Sequence, residues 1–407
     1  SYQQYVRPFY VMAKPAGARC NLRCEYCYYL EKSNLYPAVP AQTMSDELLE
    51  RFIRDYIAAQ SGEEVAFAWH GGETLLRSRD FYRRVVELQR RYGAGRRIEN
   101  SIQTNGTLLD DAWCEFFREN DWLVGISLDG PPEAHDRYRR DRQGGPTFDA
   151  VMRGVGLLQK HGVEWNALAV VNRHNADDPV GFYRFFRSIG CRFLQFTPVV
   201  ERILPHDDGR QLASAADAGA PLADFSVTPE QWGRFTCALF DEWIARDVGH
   251  IFVQLFDTLA NWVGQAPGVC SLSKSCGHAG ALEFNGDLYA CDHFVFPEYR
   301  LGNILETPLT ELMRSPRQTA FGDAKLRALP AQCRRCRYLF ACNGECPRNR
   351  FERTREGESG LNYLCKGYRR FFRHVKPYMD FMRNELSHGR APAGVMEWAR
   401  RRRKDER

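Results

Sequence analysis

Three cysteines crowd one short segment near the start of the chain, Cys20-Asn-Leu-Arg-Cys24-Glu-Tyr-Cys27. The spacing is C-x3-C-x2-C. Three thiolates on one loop hold three irons of a [4Fe–4S] cube and leave the fourth iron open, which is what a substrate-binding cluster requires. A structural zinc ion wants a fourth ligand, and no His or Cys follows closely. A zinc knob or a set of unpaired thiols is the competing reading. Eight more cysteines follow, in the order Cys270-x5-Cys276, Cys291, Cys333-x2-Cys336-x5-Cys342-x3-Cys346 and Cys365. Eight thiols make two complete sets of four, enough for two closed clusters, with two zinc ribbons as the alternative.

The last three of the 14 cysteines, Cys114, Cys191 and Cys237, stand alone among apolar neighbours and read as small core residues. Thiols in this number and grouping suit metal ligation in a reducing compartment better than a disulfide scaffold. The net charge of +5 is spread along the chain and leaves no nucleic-acid footprint. No apolar run reaches the length of a membrane span. The N-terminal SYQQYVRPFYVM lacks the layout of a secretion signal, so the expected location is the cytoplasm.

These sites need a scaffold, and the first half of the chain supplies one. Apolar runs at Phe9–Ala13, Val65–Trp69, Glu99–Thr104, Leu123–Ser127, Trp165–Val171 and Phe193–Pro198 read as strands. Amphipathic stretches at Ser45–Ala59, Arg79–Tyr92, Asp110–Glu119, Thr147–His161 and Asp178–Ile189 read as helices, with Ser45 and Thr147 as N-caps. The strands recur about every 30 residues, the spacing of βα units, and six units give an open doubly wound sheet or a partial barrel. Glu201 to Pro229 reads as a long loop, and a helix capped by Thr228 follows to Arg246. Beyond Gly264 the Cys-rich region has little periodicity and is expected to depend on metal for its fold. From Tyr378 the chain reads as a helix that frays into the basic run Arg400–Lys404, a solvated tail.

C-x3-C-x2-C with the aromatic Tyr26 before its last cysteine, in the loop after the first strand, resembles the radical SAM superfamily. The resemblance implies a partial (β/α)6 TIM-type barrel whose open iron binds S-adenosylmethionine (SAM) and cleaves it to a 5′-deoxyadenosyl radical, the protein supplying binding and orientation. His70-Gly71-Gly72-Glu73 matches the family's Gly-Gly-Glu motif, with Thr74 where Pro is commoner. By the same resemblance Gly71, Gly72, Glu73, Ser127, Tyr26 and Gln195 bind SAM. Ser127 and the turn Gln103-Thr-Asn-Gly106 close predicted strands, at the carboxyl ends where α/β folds place their sites.

The second cysteine pattern resembles the SPASM extension of radical SAM enzymes that modify peptides. That implies interleaved ligand sets, Cys270, Cys276, Cys291 and Cys346 for one auxiliary [4Fe–4S] cluster and Cys333, Cys336, Cys342 and Cys365 for the other, three clusters in all. The expected divisions are a core at 1–230, a linking helical segment at 231–264, the auxiliary-cluster domain at 265–375 and a C-terminal helix with basic tail at 376–407.

Cys291-Asp-His-Phe-Val-Phe296, Tyr299-Arg-Leu-Gly-Asn303, Gln103-Thr-Asn-Gly-Thr-Leu-Leu-Asp110 and Ser127-Leu-Asp-Gly-Pro131 are similar to the anaerobic sulfatase-maturating enzymes. Such an enzyme oxidises a Cys or Ser of a sulfatase to Cα-formylglycine. The implied partners are an unfolded or nascent sulfatase segment of the form Cys/Ser-x-Pro/Ala-x-Arg and a flavodoxin- or ferredoxin-type reductant. Asp292, directly after Cys291, is the expected base, and Tyr29 the expected contact to the target side chain. Two other readings compete: a SPASM maturase acting on another ribosomal peptide, and a non-catalytic iron–sulfur or zinc adaptor. An adaptor has no use for the open three-Cys site or the Gly-Gly-Glu turn.

Overall fold

A computed structural model of the chain describes residues 8–206 and 209–405. All six predicted strands form: β1 Tyr10–Ala13, β2 Glu64–Trp69, β3 Arg97–Thr104, β4 Leu123–Ser127, β5 Trp165–Val171 and β6 Phe193–Pro198. Helices Asp46–Ala59, Arg79–Tyr92, Asp111–Glu119, Phe148–Lys160 and Pro179–Ser188 alternate with them. The first helix shows why. The Ser45 hydroxyl accepts from Leu48 N at 3.1 Å, and Leu48, Leu49, Phe52, Ile53, Tyr56 and Ile57 recur at three- and four-residue steps to bury one face. Thr147 holds the N-cap position of its helix as expected, but its hydroxyl makes no capping bond and donates to the Arg139 carbonyl at 2.6 Å.

The chain divides into two compact units. The first holds residues 1–127, 138–165 and 276–324. In it β1, β2, β3 and β4 pair in parallel in that order. On the other side of β1 lies part of the Cys-rich region. After the hairpin β7 Ile203–His206 and β8 Gly209–Leu212 and the short β9 Phe252–Val253 come β10 Ala279–Leu282, β11 Asp287–Tyr289 and β12 Arg300–Asn303. β10 runs parallel to β1, Met12 opposite Ala281, and β11 and β12 continue antiparallel. This stretch is therefore held by sheet hydrogen bonds, which composition and periodicity did not foretell. The first unit thus takes in 276–324 and leaves the rest of the Cys-rich region to the second.

The second unit holds 128–137, 166–275 and 325–407. Within it β5, β6 and β9 pair in parallel. The segment expected to be a loop carries the β7–β8 hairpin. Thr228 caps helix Pro229–Ile244 with a reciprocal capping box through Gln231. The basic run does not fray: Val395–Asp405 is helical, with Arg400 Nη1 donating to the Ala245 carbonyl at 2.6 Å. Cys114, Cys191 and Cys237 are buried as expected. Among the described residues no helix is long and apolar enough to cross a membrane.

One buried ion pair fastens the second unit across a long stretch of sequence. Arg348 binds Glu201 through two parallel hydrogen bonds of 2.9 and 2.6 Å, both side chains largely shielded. Arg348→Ala is expected to destabilise the fold by about 3–5 kcal/mol, because it takes the bidentate guanidinium away from a buried carboxylate. A lowered urea midpoint checks this, and adding Glu201→Gln should recover part of the loss.

Candidate active site

The first cysteine loop is clamped from three directions, all within the first unit. Gly72 N donates to the Gly17 carbonyl at 2.8 Å and Glu73 N to the Arg19 carbonyl at 2.7 Å, so the Gly-Gly-Glu turn grips the turn that leads from β1 into Cys20. Arg23 N and Glu25 N donate to the Arg140 and Tyr138 carbonyls at 2.8 and 3.0 Å. The Arg142 guanidinium donates to the Cys20 carbonyl, with Nε at 2.8 Å. Cys20 Sγ accepts from Leu22 N at 3.4 Å and from the Asn105 amide at 3.8 Å. Burial pushes the Cys20 thiol up to about 11, with the charges of Glu73 and Cys27 adding to it. Bound iron reverses that logic, since a coordinated thiol is deprotonated outright.

The donors present fit a cube. Cys20, Cys24 and Cys27 are all partly exposed thiols on one loop, and in a cluster each thiolate takes its own iron, so three of them hold three corners. Among the described residues no group of three or more His, Cys, Asp or Glu side chains forms a site for a single ion.

Glu73, one of the residues that the resemblance assigns to SAM, is engaged by the protein itself. It is fully buried and accepts from Leu75 N at 3.0 Å, the Thr104 hydroxyl at 2.7 Å and Asn105 N at 2.8 Å. Burial raises its pKa while these three donors oppose the rise. The carboxylate pins the Gln103–Gly106 turn. Ser127, half-buried at the end of β4, accepts from the Gln103 amide at 3.0 Å. Tyr26 is buried edge-to-face against Tyr138, its ring faced by the Arg139 guanidinium. Gln195 lies half-buried on β6, in the second unit.

Around Asp292 the first unit builds a polar network that sequence reasoning caught only in part. Asp292 is ion-paired to Lys14, whose side chain is 0% exposed, and accepts from the Tyr28 hydroxyl. Tyr28 stacks on His293 with ring centroids 5.4 Å apart. The Lys14 ammonium also lies 3.7 Å from Glu283 Oε1 and 3.7 Å over the Tyr29 ring. Tyr29 is buried and donates to the Glu283 carboxylate at 2.6–2.7 Å. Tyr28, not Tyr29, is therefore the tyrosine bonded to Asp292. Burial alone would raise the Asp292 carboxyl, but Lys14, His70 and His293 hold it well below the usual carboxylate range. Glu283 moves the other way, raised by burial against the pull of Lys14. Lys14, Tyr28, Glu283 and Arg142 were missed; a lysine closing the apolar strand Tyr10–Ala13 was the signal on offer.

Of the later cysteines, Cys276 and Cys291 fall in the first unit and the other six in the second. Burial pushes the Cys365 thiol up to about 11, with Cys333 and Cys336 contributing. Burial also raises Cys342, helped by Glu345, Cys365 and Cys333. Cys365 thus feels the charge of Cys333 and Cys336, and Cys342 that of Cys365 and Cys333.

Comparison with known proteins places this geometry. The Radical SAM superfamily model matches residues 15–186 and the SPASM model, an iron–sulfur cluster-binding domain, residues 276–337. A serine-type anaerobic sulfatase-maturating enzyme of Bacteroides thetaiotaomicron is 62% identical over 98% of this chain and 96% of that protein. A cysteine-type enzyme of Clostridium perfringens is 31% identical over 93% and 99%. The solved structure of anSMEcpe with bound AdoMet and the Cp18Cys peptide superposes with a TM-score of 0.80 at 29% identity, covering 93% of this chain and 100% of that one. At 62% identity across nearly the whole length of both chains, and with the Radical SAM and SPASM models matched in turn, the chain belongs to the anaerobic sulfatase-maturating enzymes of the radical SAM superfamily.

Proposed function

We propose that this radical SAM oxidoreductase acts on a serine of its sulfatase target, presented in an unfolded Ser-x-Pro/Ala-x-Arg segment, and accepts cysteine there as well. The serine preference is supported by 62% identity to a serine-type relative against 31% to a cysteine-type one. The single observation that carries the chemistry is Asp292, ion-paired and hydrogen-bonded directly beside Cys291, in the same compact unit as the open three-cysteine loop.

Three [4Fe–4S] clusters would be held by Cys20, Cys24 and Cys27, by Cys270, Cys276, Cys291 and Cys346, and by Cys333, Cys336, Cys342 and Cys365. When bound, they and SAM supply the electron, the 5′-deoxyadenosyl radical that takes hydrogen from the target Cβ, and the acceptor for the second electron. The chain's own residues bind and orient. The carbonyls of Gly71 and Gly72, with Ser127, Gln195 and Tyr26, form the SAM site. Asp292 takes the proton from the target hydroxyl or thiol. Tyr28 and Tyr29 wall the target side. A flavodoxin- or ferredoxin-type protein is the electron donor, and a reducing cytoplasm suits the partly exposed thiols.

The test is an anaerobic assay with dithionite, SAM and paired Ser-x-Pro-x-Arg and Cys-x-Pro-x-Arg peptides, read by mass spectrometry. Formylglycine and 5′-deoxyadenosine should appear together, faster from the serine peptide. Asp292→Asn is expected to lower formylglycine yield about 100-fold while 5′-deoxyadenosine release continues. An untouched yield would remove Asp292 from the mechanism, and absence of 5′-deoxyadenosine would favour the adaptor reading. A Cys20/Cys24/Cys27 triple-Ala variant should keep about two-thirds of the wild-type iron, as expected for two closed clusters beside one open one.

A further inference from the structure

We propose that Lys14 is a positioning residue for the proton-transfer step: it fixes Asp292 beside the target and ties the two cysteine-bearing segments of the first unit together. The inference rests on the reading of Asp292 as base.

An ammonium out of water costs several kcal/mol unless it is paired, and an apolar side chain of similar length would fill the same space without that cost. Lys14 is 0% exposed, yet it stands at the end of β1 with its charge among Asp292, Glu283 and the Tyr29 ring, and with His70 close by. Its backbone is anchored, N donating to the Leu282 carbonyl at 3.0 Å, so the ammonium has little freedom. The two oxygens of Asp292 are divided between Lys14 at Oδ1 and Tyr28 at Oδ2. A carboxylate gripped from two sides keeps one orientation. Position in the chain gives the grip its meaning. Lys14 leads into the loop of Cys20, Cys24 and Cys27, Tyr28 follows that loop immediately, and Asp292 directly follows Cys291. Two contacts thus join the segment that carries the open-cluster cysteines to the segment that carries an auxiliary ligand, with the base at the junction. Misplacement by about 1 Å in such an arrangement lowers a rate by about 100-fold.

The proposal predicts uncoupling. Lys14→Met and Lys14→Gln are compared with wild type, with Asp292→Asn and with the Lys14→Met/Asp292→Asn double variant, each reconstituted anaerobically. Iron content, the spectroscopic signature of the first cluster with SAM, the peptide KM and 5′-deoxyadenosine release should stay within about twofold of wild type, while formylglycine formed per 5′-deoxyadenosine falls at least about tenfold. In the Asp292→Asn background Lys14→Met should add less than about twofold, since the lysine acts through the carboxylate. An unchanged ratio in both lysine variants, or a full multiplicative loss in the double variant, overturns the proposal. Should Lys14→Met lose iron, Lys14→Gln decides, because it keeps a donor; loss of iron in both makes Lys14 a scaffold residue and also overturns it. An Asp292→Asn variant with normal yield defeats the base reading instead, which separates the two failures.

Discussion

Gly72→Ala is expected to abolish SAM cleavage in a chain that otherwise folds. A Cβ at this position would lie 2.0 Å from the Arg19 carbonyl oxygen, 2.6 Å from its carbon and 2.7 Å from the Ala18 carbonyl carbon. No real Cβ tolerates backbone at that distance, and backbone cannot swing aside as a side-chain tip can. The atoms in the way are the ones that lead into Cys20. The same Arg19 carbonyl accepts from Glu73 N, so relief of the clash breaks the contact joining the two motifs. Forcing extra methyls into packed interiors costs about 1–3 kcal/mol, enough to shift a loop without unfolding a chain of this size. A shifted loop carries its three thiols with it. Release of 5′-deoxyadenosine should fall by at least about 100-fold, with iron lost from the first cluster and retained elsewhere. Gly62→Ala is the matched control, since its added methyl meets nothing nearer than 3.7 Å. A Gly72→Ala enzyme with normal SAM cleavage would show that the turn does not position the cluster loop.

The contrast between these two glycines also shows what a sequence discloses. The Gly-Gly-Glu motif was visible in the letters, but which atom crowds Gly72 was not, because Arg19 lies 53 positions away. The cysteine spacing was legible because ligand chemistry demands it whatever the fold, and the six strands because the period of two and the intervening helical stripes are local. Long-range pairing was not. β10 joins β1 across more than 260 residues, and nothing in Ala279–Leu282 marks its partner. Polar allegiance was legible only in part. Ser45 caps its helix as its position suggests, whereas Thr147 turns to Arg139, a choice fixed by the fold and not by the neighbouring letters. Glu73 was identified and its engagement with Thr104 and Asn105 was not. At the proposed base, Asp292 was picked out because it directly follows Cys291, while Lys14 and Tyr28 were not, since nothing in the letters shows that a lysine just past a strand and a tyrosine after a cysteine turn toward a carboxylate more than 260 positions away.

Arg350→Ala is expected to disable the C-terminal cysteine region while sparing the first cluster. Between Cys342 and Cys346 the chain takes three consecutive left-handed residues, Asn343, Gly344 and Glu345, with φ of 48°, 76° and 55°. Such backbone costs about 1–2 kcal/mol for each residue that bears a side chain, so something must hold it. Arg350 does. Its guanidinium donates to the carbonyls of Asn343 at 3.1 Å, Gly344 at 3.0 Å and Glu345 at 3.1 Å, and reaches the Lys325 carbonyl at 2.5 Å. Below the turn the Glu345 carboxylate accepts from the Asn362 amide at 2.5 Å and the Asn349 amide at 3.3 Å. Each hydrogen bond to a charged group contributes roughly 1.5–3 kcal/mol, so loss of the fork outweighs the strain it restrains and the turn relaxes. Cys342 and Cys346 then swing from their places. Since the proposed ligand sets assign them to different clusters, both auxiliary clusters should suffer. Iron per chain is expected to fall to about one-third of wild type, one cluster in three, with formylglycine lost and 5′-deoxyadenosine release retained. Arg350→Lys should fare nearly as badly, because one ammonium cannot match a planar fork aimed at three carbonyls. Asn343→Gly, which eases the left-handed residue, should return part of the iron in the Arg350→Ala background. If Arg350→Ala instead keeps its full iron complement and its urea midpoint, the turn holds itself, and the strain has another keeper.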